Sequence, residues 1–249
     1  MKPEVIYENT DIVVIAKPAG VLVHPDISHK DGTISDWFAE KYPASRGVGE
    51  PQTFTNGTIL QRPGIVHRLD AETSGALVLA KTQDAHVFLK NAFQNHEVRK
   101  TYLAFVYGTL KEKKGTIDFP IGRSRKDFRL RSAQPKARGT LRDAVTDYEV
   151  LGEDETGEHT ALFAYPKTGR THQIRVHLKA IHHPIVCDPL YAPNHACDLG
   201  FNRLGLHAYQ IDVPLLSGKR EVFTAPVPQD LAAALPLFCG TDTLEIAKP

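Results

Sequence analysis

Apolar residues in this 249-residue chain come mostly in short runs bounded by turn residues, which is a strand pattern. Val5-Ile6-Tyr7 and Ile12-Val13-Val14-Ile15 flank a Glu8-Asn9-Thr10-Asp11 turn, and Lys17-Pro18-Ala19-Gly20 then breaks the pattern ahead of Val21-Leu22-Val23. Ala76–Ala80 is an unbroken apolar run entered through Gly75, and Tyr102–Tyr107 is a strand stopped by Gly108. Thr116–Phe119, Ala144–Leu151, Thr160–Tyr165, Pro184–Val186, Tyr209–Val213 and Glu221–Thr224 read as further strands. Helical spacing is rarer. Ile34, Trp37 and Phe38 share one face behind a Thr33 cap with Asp36 in the first turn. Thr82 caps a helix burying Phe88, Leu89, Ala92 and Phe93, and Thr171–Ile181 buries Ile174, Leu178 and Ile181. Leu231–Leu235 is a short terminal helix capped by Asp230, whereas Tyr42 to Gln61 lacks periodicity and reads as an irregular loop. Strands outnumber helices, and the links are too mixed for a regular βαβ series. The fold class expected is α+β, with a large mixed, mostly antiparallel sheet flanked by helices.

Composition adds limits. An apolar fraction of 41% and a charged fraction of 24% belong to an ordinary globule, and no apolar run is long enough to cross a bilayer. The N-terminus runs straight into a strand pattern without a secretory apolar region, so the cytoplasm is expected. Cys187, Cys197 and Cys239 are odd in number and widely spaced, which argues against a disulfide framework and against a Cys-x-x-Cys metal site. His172, His177, His182, His183 and His207 form no His-Glu-x-x-His pattern, so no metal is expected. The net charge of +1 hides an asymmetry. From Arg99 to Arg142, thirteen Lys or Arg stand against three acids, a net of +10, and seventeen against twenty-six elsewhere give −9. Such a block is either a solvated hairpin face or a surface for a polyanion.

The candidate chemistry sits just before the apolar run Ala76–Ala80. His67, Arg68 and Asp70 crowd a polar loop anchored to what reads as a buried strand, a place where a scaffold fixes reactive groups while leaving them reachable. Taken alone, Arg68-x-Asp70 is a surface ion pair. His67-Arg68-Leu69-Asp70 followed by Glu72-Thr73-Ser74-Gly75, however, resembles the signature of the RluA-type RNA pseudouridine synthases. The resemblance extends in order through Ile12 to His24, Lys100 to Gly108, Thr168 to His177 and Leu206-His207-Ala208.

That resemblance implies the pseudouridine synthase fold with a central active-site cleft. The function implied is isomerisation of specific uridines in transfer RNA, large-subunit ribosomal RNA or both, with Asp70 as the catalytic carboxylate. It implies Arg175 as the counter-ion of Asp70, Tyr102 as a ring stacked on the uracil, and Arg68 as a residue that occupies the space left by a flipped base or holds the flipped nucleotide. Lys100, two residues before Tyr102 and on the same strand face, is either a phosphate contact or a solvated lysine. Arg170 and Thr171 precede a helix whose free N–H groups favour a phosphate. The basic arm offers Arg123, Arg125, Lys126, Arg129 and Arg131 to RNA. The reaction needs neither redox nor energy input, so no cofactor is expected, and no nucleotide-binding fingerprint is present. Residues 1–249 read as one catalytic domain with halves of roughly 1–110 and 111–235, acting as a monomer without an N-terminal RNA-binding domain. Cys187 stands where the family commonly has Gly before Asp188-Pro189-Leu190-Tyr191, which raises a question about the backbone there. A non-catalytic RNA-binding protein on the same fold is the alternative.

Overall fold

The computed structural model describes residues 2–25, 31–53, 57, 59–124, 127, 130–133 and 137–238. In chain order it contains β1 (Glu4–Glu8), β2 (Ile12–Lys17), α1 (Ile34–Lys41), β3 (Gln52–Thr53), β4 (Ile59–Leu60), β5 (Ser74–Ala80), α2 (Gln83–Gln94) and β6 (Arg99–Tyr107). Then follow β7 (Lys114–Asp118), β8 (Ile121–Arg123), β9 (Arg131–Ser132), β10 (Arg138–Arg142), β11 (Val145–Glu153), β12 (His159–Pro166), α3 (Gln173–Ala180), β13 (Leu206–Pro214), β14 (Arg220–Thr224) and α4 (Gln229–Ala234). The class is α+β. The chain divides into two compact units, Met1–Arg99 with Ala208–Pro226 and Lys100–His207 with Val227–Pro249. Among the described residues no helix is long and apolar enough to cross a membrane.

In the first unit the strand order is β1-β2-β5-β13, with β14 on β13. The β1–β2, β2–β5 and β13–β14 registers are antiparallel. All seven residues of β5 are buried, which explains why its sequence is a continuous apolar run rather than an alternation. Val14, Val78, Ile211 and Val213 pack with Leu89 and Ala92 of α2, whose N-terminus is capped by the Thr82 side chain. α1 carries the expected capping box: Thr33 Oγ1 accepts from the Asp36 N–H and the Asp36 carboxylate accepts from the Thr33 N–H.

The second unit is built on β6-β12-β11-β7, again with antiparallel registers. Ile174 and Leu178 of α3 pack on Ala104, Leu162 and Ala164 of this sheet. α3 is set by polar contacts as well. Burial holds the His177 pKa below its ordinary value. Its Nε2–H donates to the Phe119 carbonyl, which leaves Nδ1 to accept from the Thr146 hydroxyl. A separate small sheet, β10-β8-β9, forms the basic arm.

Some expectations change. The segment 42–61 is not wholly irregular, because it contains a 3₁₀ turn at Pro43–Ser45 and the β3–β4 pair. Pro184–Val186 is buried but forms no strand; Ile185 makes one isolated bridge to Val106. Asp230 lies inside the first turn of α4, after Pro228 at the cap, and grips Arg203 with two bonds of 2.7 and 2.9 Å. The odd cysteine count misled: Cys187 and Cys197 form a disulfide ten residues apart, and the leftover Cys239 lies outside the described residues.

Cys187 also answers the question its position raised, since its φ is +57°, a conformation glycine adopts freely and L-residues resist. Closing so short a loop stabilises the oxidised chain by about 2–3 kcal/mol. Intact-mass measurement after alkylation should find two protected cysteines without reductant, and reduction should lower the melting temperature. Under reducing conditions Cys187→Gly should be more stable than Cys187→Ser by about 1 kcal/mol, because only the glycine accepts the left-handed backbone without strain.

Candidate functional site

In the first unit, the loop that carries Asp70 is pinned at several points. Gly64 exchanges backbone bonds with Val48 and Ala80, and Ile65 bridges Leu79. A side chain at Gly64 would lie 2.6 Å from the Ala80 carbonyl, and its φ of +70° suits only glycine. His67 Nε2 accepts from the Val78 N–H at 3.0 Å, and its ring stacks on Phe93. The exit is fixed at Gly75, with a φ of +121°, where an added Cβ would meet the Ala208 carbonyl at 2.2 Å. Between these anchors Asp70 is half-buried, Arg68 is exposed, and Arg68 Nη1 reaches His24 Nε2 at 3.5 Å.

The strongest anchor is Lys17, a lysine only 1% exposed. Its ammonium donates to the carbonyls of Pro18, Val21 and Ala71 at 2.8, 2.7 and 2.9 Å. The Ala71 carbonyl also accepts the Gly20 N–H. One buried cation therefore ties the turn after β2 to the residue that follows Asp70. Nothing in the sequence singled it out, because lysine is ordinarily a surface residue.

In the second unit, Arg175 and Asp188 are 3% and 1% exposed and form a two-pronged pair, both bonds 2.7 Å. Arg175 is thus a buried helix residue, not an exposed one. Leu190 and Tyr191 N–H groups also donate to Asp188, and the Tyr191 ring lies 5.1 Å from the guanidinium. Asp188, which sequence reasoning noticed only as part of an Asp-Pro-Leu-Tyr run, orients the guanidinium. The Tyr191 hydroxyl accepts the Arg131 N–H and shares a hydrogen bond with His172, the left-handed residue that starts α3.

Tyr102 stands on β6, half-buried and packed against the apolar core of the second unit. Lys100 is not a freely solvated lysine: it is half-buried, reaches the Thr168 carbonyl, and burial pushes its pKa from 10.5 down to about 8. Arg170 donates from Nε to the Asp143 carbonyl, while its own N–H is taken by Gln173. Arg123 and Arg131 face each other across β8 and β9. Like charges in direct cross-strand register are unfavourable without an anion over them. Arg125, Lys126 and Arg129 lie outside the described residues. Among the described residues no group of three His, Cys, Asp or Glu is placed to hold a metal.

An α+β chain with a carboxylate loop pinned to a buried strand, and a buried arginine on a helix following β12, finds clear counterparts. Residues 11–180 match the family described as RNA pseudouridylate synthase. An uncharacterized RNA pseudouridine synthase of Synechocystis sp. is 38% identical over 90% of this chain and 65% of its own length. The ribosomal large subunit pseudouridine synthase D of Xanthomonas campestris pv. campestris is 39% identical, over 91% of this chain and 66% of its own. The solved structure of human RNA pseudouridylate synthase domain containing 1 aligns over 99% of this chain and 94% of that one, with a TM-score of 0.75 and 26% identity. The chain spans about two thirds of the length of the two curated relatives. It belongs to the RNA pseudouridylate synthase family.

Two measurements check the site's electrostatics. Lys17→Met removes the ammonium from three carbonyls, of which Ala71 keeps the Gly20 N–H, and should cost about 3–5 kcal/mol in chemical denaturation. For Lys100 the folded pKa of about 8 lies below the unfolded value of 10.5, so between these the unfolded chain binds more protons and stability rises with pH. Denaturation of native protein and Lys100→Met at pH 7 and pH 10 should show the difference moving in favour of the native protein at the higher pH.

Proposed function

We propose that this chain is an isomerase that converts uridine in RNA to pseudouridine, with Asp70 as the catalytic carboxylate and Tyr102 and Arg175 as its partners in catalysis. The observation that supports this most is the pinning of the Asp70 loop by Lys17, Gly64, His67 and Gly75. A carboxylate held this firmly, in a chain of this family, supports a role in chemistry over that of a solvated turn.

The reaction breaks the N1–C1′ bond, turns the uracil and joins its C5 to C1′. Asp70 acts on the ribose or the base, as a nucleophile at C1′ or C6 or as the base that removes the C2′ proton. Arg175, oriented by Asp188, is the cationic partner proposed for that carboxylate. The Tyr102 ring stacks on the uracil, and its hydroxyl assists loss of the C5 proton. Arg68, exposed beside Asp70, holds the flipped nucleotide. Lys100, Arg123, Arg125, Lys126, Arg129, Arg131 and Arg170 meet the phosphates. Large-subunit ribosomal RNA and transfer RNA are the substrates proposed, the enzyme working as a monomer in the cytoplasm. The names of relatives such as the Xanthomonas ribosomal large subunit synthase support the ribosomal substrate.

The test is to incubate the protein with total RNA and map pseudouridine at single-nucleotide resolution. New sites should be made by the native protein and none by Asp70→Asn, which should still bind RNA. Tyr102→Phe should lose about 10²–10⁴-fold in turnover with little change in affinity. RNA binding without any new pseudouridine would instead indicate a non-catalytic binding protein.

A further inference from the structure

Three other arginines are each matched by an acid: Arg175 by Asp188, Arg203 by Asp230 and Arg220 by Asp212. Two arginines of the first unit are different, and both lie on the segment that carries Asp70. Arg68 has His24 as its hydrogen-bonding neighbour, and no carboxylate among the described residues pairs with it. Arg62 is half-buried, its Nε is shielded from solvent, and among the described residues that nitrogen has no acceptor. A buried donor without a partner is unfavourable, so its persistence calls for an explanation. The two cations also act on each other: burial and the Arg68 charge both lower the Arg62 pKa.

Relaxation of the backbone does not relieve this arrangement. Arg62 is followed at once by Pro63 and by Gly64, whose N–H and carbonyl are both taken up by Val48 and Ala80. The Arg62 carbonyl itself accepts the Ile65 N–H at 3.3 Å. Two mutually repelling guanidiniums, held on a pinned loop and short of acceptors, form the cationic half of an anion site.

We propose that Arg62 and Arg68 together hold one phosphodiester of the bound RNA, next to the nucleotide presented to Asp70. Arg62 is the new member of this site; the sequence motif marks Arg68 alone. The inference rests on the RNA-modifying reading above and adds to it a fixed phosphate register. One backbone group, clamped between two forks, sets how far along the strand the target uridine stands from Asp70.

The test uses a fluorescein-labelled hairpin RNA with a uridine-containing loop, and anisotropy titrations over a range of salt concentrations. Arg62→Gln keeps a polar stem without charge and should weaken binding by about tenfold at low salt. It should also reduce the slope of log K against log salt by about 0.7–0.9, as one phosphate contact is lost. Arg62→Lys, a second variant that keeps the charge, should retain most of the slope while losing part of the affinity. The double substitution Arg62→Gln, Arg68→Gln should cost less than the sum of the two singles, because both grip one phosphate. Without RNA, Arg62→Gln should melt no lower than the native protein, since one of two repelling charges is gone. Unchanged affinity and slope in Arg62→Gln, or full additivity in the double variant, would overturn the phosphate clamp. Native protein that makes pseudouridine while Arg62→Gln binds normally sinks the clamp alone. Native protein that binds RNA with the Arg62-dependent slope but makes no pseudouridine sinks the catalytic reading alone.

Discussion

A single buried ammonium does more to define the first unit than any apolar contact does. Lys17 closes β2 opposite Gly75 in the antiparallel register, so the strand that ends in a cation lies beside the strand that the Asp70 loop feeds. Hydrogen bonds from a charged donor are about twice as strong as neutral ones, and three carbonyls share its charge where water does not. An apolar side chain at this position would pack but take the ammonium from all three carbonyls, leaving Ala71 with only the Gly20 N–H. The geometry of the Asp70 loop therefore depends on a residue whose ammonium bonds to backbone carbonyls.

The second unit solves the same problem with opposite means. There the positive group is the one to be aimed, and a carboxylate aims it. Asp188 uses both oxygens on Arg175 and still accepts two backbone N–H groups, so the pair is dry and fully bonded. Such a pair contributes little net stability but much positional certainty. His177 adds a neutral counterpart: held between Thr146 and Phe119, it fixes α3 without placing a second charge near the first. Polar residues in this core specify orientation, and the apolar ones supply the driving force.

Local signals were legible in the sequence and distant partners were not. The capping box of α1, the Thr82 cap of α2 and the apolar run of β5 each follow from residues within a few positions of one another, and each is found. β5 nevertheless starts at Ser74, because its opening polar residue is buried too, which no hydropathy pattern signals. Ile185 shows the converse: an apolar, fully buried position whose neighbours have no ladder to join. Asp188, thirteen residues beyond Arg175, and Lys17, fifty-four before Ala71, gave no hint of their partners. The Asp70 loop stood out through its resemblance to a family. Arg62 did not, since an arginine short of acceptors is recognisable only once its surroundings are folded.

Gly75 has a consequence for how proteins of this kind diversify. With the Ala208 carbonyl 2.2 Å from any added Cβ, the exit of the reactive loop admits no side chain at all. Change at that point is closed to gradual drift, whatever substrate is under selection. On the RNA-binding role proposed above, new preferences have to arise elsewhere, at positions such as Arg123, which is exposed at the end of β8 in the small basic sheet. Mutagenesis libraries that spare the loop and randomise the arm would follow the route the fold leaves open.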